Sequence, residues 1–287
     1  MQDLNNKVAV VTGGASGIGR AMAERFAAAG MKIVLADIES AALEATAKEM
    51  RAAGVDIHTQ LTDVSDGAAV DALAASTLDH FGAVHIVCNN AGVATAGPVW
   101  AMTEADWKFT IGVNLWGVIH GVRAFAPTML EQDEGHFVNT ASMAGLVCAP
   151  GMGVYNVTKH GVVALTETLF EDLRGQGSNV GTSVLCPAFV NTKIWDSQRN
   201  RPDALKNDAG KGDSETYENT KSTLKTVIEH AMPAAKVADA VHDAVLANRL
   251  YILTHSSSQE SVAKRMGHIV SGENPTQGAP DLQSLLN

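Results

Sequence analysis

Short apolar runs alternate along the chain with longer segments in which apolar residues recur every three or four positions. Seven runs have the length of a β-strand and are rich in β-branched residues: Val8–Thr12, Lys32–Asp37, Ile57–Thr62, Val84–Asn89, His136–Ala141, Thr182–Cys186 and Leu250–Leu253. Several are apolar at consecutive rather than alternating positions, which is typical of strands covered on both faces. Strands of this kind occur in parallel sheets.

The segments between these runs have the length and spacing of helices: Gly17–Ala29, Ser40–Ala53, Asp66–Phe81, Thr103–Glu131, Gly153–Arg174 and Lys236–Asn248. Thr103 followed by Asp106 predicts a helix N-terminus, and Pro127 predicts a kink or an end near it. Strands that alternate with helices indicate βαβ units. The pattern therefore predicts an α/β protein with a Rossmann-type doubly wound parallel sheet of about seven strands and helices on both faces.

Two regions break this rhythm within what we expect to be a single domain over residues 1–287. Residues 193–235 are polar and rich in charge, and an insertion of this length predicts a lid over the substrate. Residues 271–287 are rich in Gly, Pro, Asn and Gln, which predicts an irregular tail.

Charge and composition narrow the class of protein. The 287 residues include 21 Lys+Arg and 31 Asp+Glu, a net charge of −10, so we expect no nucleic-acid or membrane partner. No apolar segment approaches the ~20 residues of a membrane helix, and no signal peptide is predicted. Three dispersed cysteines favour a reducing, cytoplasmic location, and the histidines show no metal-binding pattern.

A glycine-rich stretch joins the first strand to the first helix. It has glycines at positions 13, 14, 17 and 19, and Asp37 ends the second strand 18 residues after Gly19. Glycines allow a pyrophosphate to approach the backbone, and the helix N-terminus supplies N–H groups and a positive dipole. A carboxylate at position 37 would accept hydrogen bonds from ribose and repel a 2′-phosphate, which favours NAD over NADP. Arg20 could reach a phosphate, so this remains a preference.

A tyrosine and a lysine lie four residues apart on a predicted helix. Tyr155 and Lys159 would share one face of it. A phenol has a pKa of ~10, and a nearby ammonium stabilises the phenolate and lowers that value. The pair predicts a general acid/base, although Tyr-x-x-x-Lys also occurs by chance on exposed helices.

These motifs, in this order, resemble the short-chain dehydrogenase/reductase superfamily over roughly residues 7–253. The resemblance implies cofactor contacts from Gly13, Ser16, Gly17, Ile18, Gly19, Asp37, Ile38, Asp63, Val64, Asn90, Ala91, Gly92, Tyr155, Lys159, Pro187, Val190 and Thr192. The family usually has Pro-Gly where this chain has Pro187-Ala188, and alanine is less free to adopt positive φ.

The resemblance also implies a catalytic tetrad of Asn114, Ser142, Tyr155 and Lys159. Tyr155 would be the acid/base, and Lys159 would lower its pKa and hold the nicotinamide ribose. Ser142 would donate to the substrate oxygen, and Asn114 would order a water in a proton relay to Lys159.

The expected substrate contacts are Ser142, Val147, Tyr155, Phe189 and Trp195. The predicted walls are mostly apolar and show no arginine or lysine at the pocket floor. We therefore expect a neutral, hydrophobic secondary alcohol or ketone, aromatic ones included. The alternatives are an NADPH-dependent carbonyl reductase and a catalytically idle dinucleotide-binding scaffold. The family resemblance implies a homotetramer or homodimer.

Overall fold

Seven parallel strands form the sheet in the part of the chain that the computed structural model describes, which is residues 1, 3–208 and 225–275. The strands are β1 (Val8–Thr12), β2 (Lys32–Asp37), β3 (Ile57–Leu61), β4 (Ile86–Asn89), β5 (His136–Thr140), β6 (Gly181–Cys186) and β7 (Tyr251–Leu253). Their order is β3-β2-β1-β4-β5-β6-β7, and every neighbouring pair is parallel. The predicted doubly wound sheet is confirmed.

Helices cover both faces of the sheet. They are α1 (Gly17–Ala28), α2 (Ser40–Ala52), α3 (Gly67–Phe81), α4 (Glu104–Ile111), α5 (Gly117–Gln132), α6 (Gly153–Gly175), α7 (Ala234–Leu246) and α8 (Ser258–Ser271). On one face, Phe26 of α1 packs in a cluster with Val241 of α7. On the other face, Leu73 of α3 packs with Phe125 of α5. The strands therefore need apolar residues at consecutive positions, as the sequence has them.

The order of the strands reverses between β1 and β4. The chain runs outward from β1 through β2 to β3, then returns to pair β4 with β1 and continues to β7. At such a switch point the loops that follow the two adjacent strands diverge and leave a crevice at the carboxyl ends. The loops after β1 and β4 begin at Gly13 and Asn90.

The helix predicted over Thr103–Glu131 is continuous, but a wide π turn over Gly112–Trp116 joins its two parts, α4 and α5. The cap predicted at Thr103 is confirmed: its hydroxyl accepts a hydrogen bond from the N–H of Asp106, in a reciprocal capping box. Pro127 does not end the helix, since α5 continues to Gln132.

The segments outside the regular alternation are partly described. In the predicted lid, residues 193–235, two short 3-10 helices cover Ile194–Asn200 and Asp203–Leu205, while 209–224 lie outside the described residues. Of the predicted tail, 276–287 also lie outside them. The helix α8 was not predicted from the sequence. None of the helices in the described ranges is long and apolar enough to cross a membrane.

Candidate active site

A cleft of about 1640 Å³ opens at the carboxyl ends of the strands. Most residues predicted to bind the cofactor line it: Gly13, Ser16, Gly17, Ile18, Asp37, Ile38, Asp63, Val64, Asn90, Ala91, Gly92, Tyr155, Lys159, Pro187, Val190 and Thr192. Gly19 is not among the lining residues. The sequence-predicted set is thus brought together from segments that are distant along the chain.

The glycine loop is packed so closely that larger residues would not fit. Gly13 has φ +62°, and a Cβ on it would lie 2.9 Å from the Cα of Ala91. A Cβ on Gly19 would lie 2.1 Å from the carbonyl oxygen of Gly13, so Gly19 allows the loop to fold onto the first turn of α1. The N-cap residue Ser16 makes no side-chain cap, which leaves the first N–H groups of α1 to an anionic ligand.

The loops after β1 and β4 are joined to each other through Thr12. Its hydroxyl accepts hydrogen bonds from the N–H groups of Asn90 at 2.9 Å and Ala91 at 3.1 Å. The amide of Asn90 in turn donates to the carbonyl of Thr12 at 3.0 Å. Within the sheet, Asn89 donates to Asn139 at 2.8 Å. These hydrogen bonds hold the two loops at a fixed separation across the crevice.

At the far edge of the cleft, Asp37 is held in place by main-chain donors. One carboxylate oxygen accepts from the N–H of Ala15 at 3.0 Å and the other from the N–H of Glu39 at 3.0 Å. The carboxylate therefore stands fixed where the second strand ends. Arg20, the residue that could have favoured a 2′-phosphate, forms ion pairs with Glu24 at 2.7 Å and Glu49 at 2.6 Å.

Tyr155 and Lys159 share one face of α6, as predicted, and both are buried. The Nζ of Lys159 lies 5.6 Å from the centroid of the Tyr155 ring and donates to the carbonyl of Thr140 at 2.8 Å. Ser142, which follows the end of β5, lines the same cleft and accepts from the N–H of Ala144 at 3.1 Å. Three proton-bearing groups therefore converge in one part of the cleft.

Burial dominates the electrostatics of this group. It raises the pKa of Tyr155 to about 12, an effect that the hydrogen bond from Ser142 opposes. It lowers the pKa of Lys159 to about 8, because a buried ammonium is poorly solvated. In the protein alone burial thus raises the pKa of Tyr155, and the expectation that Lys159 lowers it stays a prediction.

Asn114 lies in the π turn and is fully buried. Its carboxamide accepts from the N–H of Val93 at 2.8 Å and donates to the carbonyl of Val93 at 2.9 Å and to Thr158 at 3.2 Å. The side chain thus ties the loop after β4 to α6, beside the catalytic face. The cleft lining does not include Asn114, and the relay predicted for it stays a prediction.

The predicted substrate residues divide into two groups. Ser142, Val147, Tyr155 and Phe189 line the cleft. Trp195 is not among the lining residues, and its ring instead packs against Lys225, whose Nζ lies 5.0 Å from the ring centroid.

Arg201 is a buried cation in the wall of the cleft, and no sequence pattern indicated it. Arg201 pairs with Asp106 of α4 at 2.7 Å. Its guanidinium also donates to the carbonyl of Leu205 at 2.6 Å and to the amide oxygen of Asn207 at 3.3 Å. Arg201 lies in the wall rather than at the pocket floor, where no arginine or lysine was expected, and Asp106 offsets its charge.

The segment after Thr192 also closes one side of the cleft near Asp37. Arg199 donates to a carboxylate oxygen of Glu39 from Nε at 3.0 Å and from a terminal nitrogen at 2.8 Å. Asn200 donates to the same oxygen at 3.0 Å. Burial works to raise the pKa of Glu39, but the hydrogen bonds from Asn200 and Arg199 bring it below its ordinary value.

The arrangement fits a dinucleotide. The loop accommodates only glycine at its tightest points, the start of α1 offers uncapped N–H groups, and Asp37 and Tyr155 lie along the same cleft. The shape and the polar groups thus suit a ligand with a central pyrophosphate and a ribose at one end.

Comparisons with known proteins agree with this geometry. The short chain dehydrogenase family model matches residues 7–203. A solved structure of a short chain dehydrogenase/reductase from Burkholderia phymatum in complex with NAD is 47% identical, with a TM-score of 0.94, and covers 98% of this chain and 100% of that chain.

Two curated relatives extend the comparison. The CLA biosynthesis dehydrogenase/reductase of Lactiplantibacillus plantarum is 33% identical over 287 residues, 99% of this chain and 99% of its own. The (2S)-[(R)-hydroxy(phenyl)methyl]succinyl-CoA dehydrogenase subunit of Thauera aromatica is 38% identical over 193 residues, 67% of this chain and 77% of its own.

Proposed function

Because this chain belongs to the short-chain dehydrogenase family, whose members are oxidoreductases that act on CH–OH groups, we propose that it transfers a hydride between NAD and a hydrophobic secondary alcohol or its ketone. The observation that carries the proposal is the convergence of Tyr155, Ser142 and Lys159 on the cleft that the glycine loop also lines. A site for proton transfer and a site for a dinucleotide thus share one cavity.

In this proposal Tyr155 takes the proton of the alcohol hydroxyl during oxidation and returns it during reduction. A bound nicotinamide supplies the acceptor or donor of the hydride. Ser142 donates a hydrogen bond to the substrate oxygen, which stabilises the charge that develops there. Lys159, as an ammonium, stabilises the phenolate of Tyr155. Alcohol and oxidised cofactor become ketone, reduced cofactor and one proton.

Two features support NAD as the cofactor. The fixed carboxylate of Asp37 can accept from ribose hydroxyls, and it repels a 2′-phosphate. Arg20 forms ion pairs with Glu24 and Glu49, whose carboxylates offset its charge. The neighbour from Burkholderia phymatum was solved with NAD, which supports the same choice.

Part of the wall of the cleft supports the proposed substrate class. Val147 and Phe189 are apolar, and the charge of Arg201 is offset by Asp106. The relative from Thauera aromatica has a hydroxy(phenyl)methyl group in the name of its substrate, which supports the inclusion of aromatic alcohols.

A homotetramer or homodimer remains part of the proposal, and light scattering on the purified protein would test it.

A panel of secondary alcohols, aromatic and aliphatic, tests the function when each is incubated with NAD and the reduced cofactor is followed by absorbance. We expect turnover with at least one hydrophobic member and a loss of about 10²–10⁴-fold in Tyr155→Phe. Unchanged turnover in Tyr155→Phe would contradict the assigned acid/base. A wild-type protein that binds NAD but oxidises no alcohol and reduces no ketone would favour the idle scaffold.

A further inference from the structure

The chain leaves the sheet after β6 and crosses the cleft beside the catalytic group. The carbonyl of Pro187 accepts from the N–H of Met143 at 2.9 Å, and the hydroxyl of Ser142 lies 3.4 Å from the same oxygen. Farther on, the N–H of Asn191 donates to the carbonyl of Met232 at 2.9 Å. Between these two anchors, Ala188 and Phe189 have left the ladder of β6, and their side chains line the cleft.

A histidine that follows the neighbouring strand β7 contacts two main-chain groups of this segment, the N–H of Ala188 and the carbonyl of Phe189. Cys186 and Leu253 are partners in the β6–β7 register, so His255 follows β7 next to the departing segment. Its Nδ1 lies 3.4 Å from the N–H nitrogen of Ala188, and its Nε2 lies 3.2 Å from the carbonyl oxygen of Phe189.

Only one tautomer of His255 satisfies both contacts. The N–H of Ala188 can only donate, so Nδ1 must accept, and the carbonyl of Phe189 can only accept, so Nε2 must carry the proton. The hydroxyl of Thr254, 2.8 Å from Nδ1, can donate to the same nitrogen. Burial lowers the pKa of His255, although the hydrogen bond to Phe189 opposes this, and burial thus favours the neutral ring.

We propose that His255 is a positioning residue that fixes the Ala188–Phe189 peptide against the reacting end of the bound cofactor and against the substrate. This role rests on the proposed function, but its test measures cofactor binding and needs no turnover. Ser142, which contacts this segment, marks the reacting end of the cleft, whereas Asp37 marks the opposite end. Loss of His255 should therefore weaken contacts with the nicotinamide half of NAD and leave the adenosine half unaffected.

The experiment compares dissociation constants for NAD and for ADP-ribose, which lacks the nicotinamide, in the wild type and in His255→Phe. We expect NAD to bind about tenfold more weakly in the variant, from the loss of two partly buried hydrogen bonds, while ADP-ribose binds as in the wild type. An equal loss for both ligands, or no loss for either, would overturn the proposal.

Two half-replacements keep the test valid if His255→Phe does not fold. His255→Gln retains a donor near the position of Nε2 for the carbonyl of Phe189, and His255→Asn retains an acceptor near Nδ1 for the N–H of Ala188. Each should lose a smaller part of the preference for NAD over ADP-ribose than phenylalanine does. If both keep the wild-type ratio of the two dissociation constants, His255 does not position this peptide.

His136 supplies a matched control. It is buried to 1% exposure, its Nε2 lies 2.8 Å from the hydroxyl of Ser183, and it begins β5, so it lies at the amino end of the strand and not at the carboxyl end that faces the cleft. His136→Phe should lower stability without changing the ratio of the NAD and ADP-ribose constants. Failure of the proposed function would appear separately, as a wild type without alcohol or ketone turnover, and would leave the binding comparison readable.

Discussion

Arg201 and Asp106 form an ion pair of 2.7 Å whose side chains are 4% and 9% exposed, and it joins the segment over the cleft to α4. Burial works to raise the pKa of Asp106, but hydrogen bonds from Arg201, Thr103 and Asn207 hold it below its ordinary value. The pair therefore remains ionised in a site with little solvent. The pair stabilises the fold because each charge compensates the desolvation of the other.

Replacement of one partner should be costly. In Arg201→Met, Asp106 is left as a buried carboxylate without its cation, and we expect the free energy of unfolding to fall by about 3–5 kcal/mol, measured by denaturant titration. Arg123→Met, which breaks the exposed pair with Asp71, should cost less than about 1 kcal/mol. Equal losses in the two variants would contradict the role of burial.

The cofactor preference should depend on the charge at position 37. In Asp37→Asn, an acceptor oxygen remains but the repulsion of a 2′-phosphate disappears, so we expect the ratio of NADPH to NADH affinity to rise by about tenfold. Titration of the fluorescence of each reduced cofactor measures this. Arg20→Met is the control, because Arg20 pairs with glutamates, and it should leave the ratio unchanged. If Arg20→Met shifted the ratio of NADPH to NADH affinity and Asp37→Asn did not, Asp37 would not be the residue that sets the preference for NAD.

The glycine loop should not tolerate a single added methyl group at its tightest point. In Gly19→Ala, the Cβ would lie 2.1 Å from the carbonyl oxygen of Gly13, so the loop must move. We expect NAD affinity to fall by at least about tenfold, measured by calorimetry. Gly267→Ala is the matched control, since Gly267 lies in α8 with open space around its Cβ position. It should stabilise the protein by about 0.5–1 kcal/mol and leave NAD binding intact.

The ammonium of Lys159 should make stability depend on pH. Its pKa is about 8 in the folded protein and 10.5 in the unfolded reference, so the unfolded chain binds more protons between these values. Stability therefore rises with pH across this range and carries the full cost of the buried charge below it. We expect the wild type to gain about 2 kcal/mol relative to Lys159→Met between pH 7 and pH 10.

Denaturation curves at several pH values measure this gain. Lys108→Met removes an exposed lysine that pairs with Glu104 on the surface, and it serves as the control. Its stability should run parallel to that of the wild type over the same range. Parallel curves for Lys159→Met as well would show that burial does not shift the titration of Lys159.

The sequence predicted the parts of the site that local spacing encodes. The glycine loop, Asp37 and the Tyr155–Lys159 pair each follow from short-range patterns next to a strand or on one helix face. Strand limits were also close, because runs of consecutive apolar residues mark strands covered on both faces. Of the residues assigned to the cofactor, Gly19 packs inside the loop and does not line the cleft.

Features that depend on distant residues were missed. Arg201 and Asp106 are 95 positions apart, and Arg201 stands in a polar segment where one arginine looks like any other. His255 likewise acts on a peptide 66 positions away. The pKa of Tyr155 is raised because the whole fold buries its side chain, and the spacing of Tyr155 and Lys159 cannot show that burial. The π turn was not predicted because no local sequence pattern in Gly112–Trp116 marks it.

Because of the π turn at Gly112–Trp116, the side chains of α4 and those of α5 face different sides of one continuous helix. An extra residue in a turn rotates everything after it by about 100° around the axis. Asp106, before the turn, meets Arg201 over the cleft, while Phe125 and Met129, after it, lie in the core under the sheet. Deletion of one residue within the turn would restore the regular α-helical register between α4 and α5. Either Asp106 would then point away from Arg201, or Phe125 and Met129 would point away from the core.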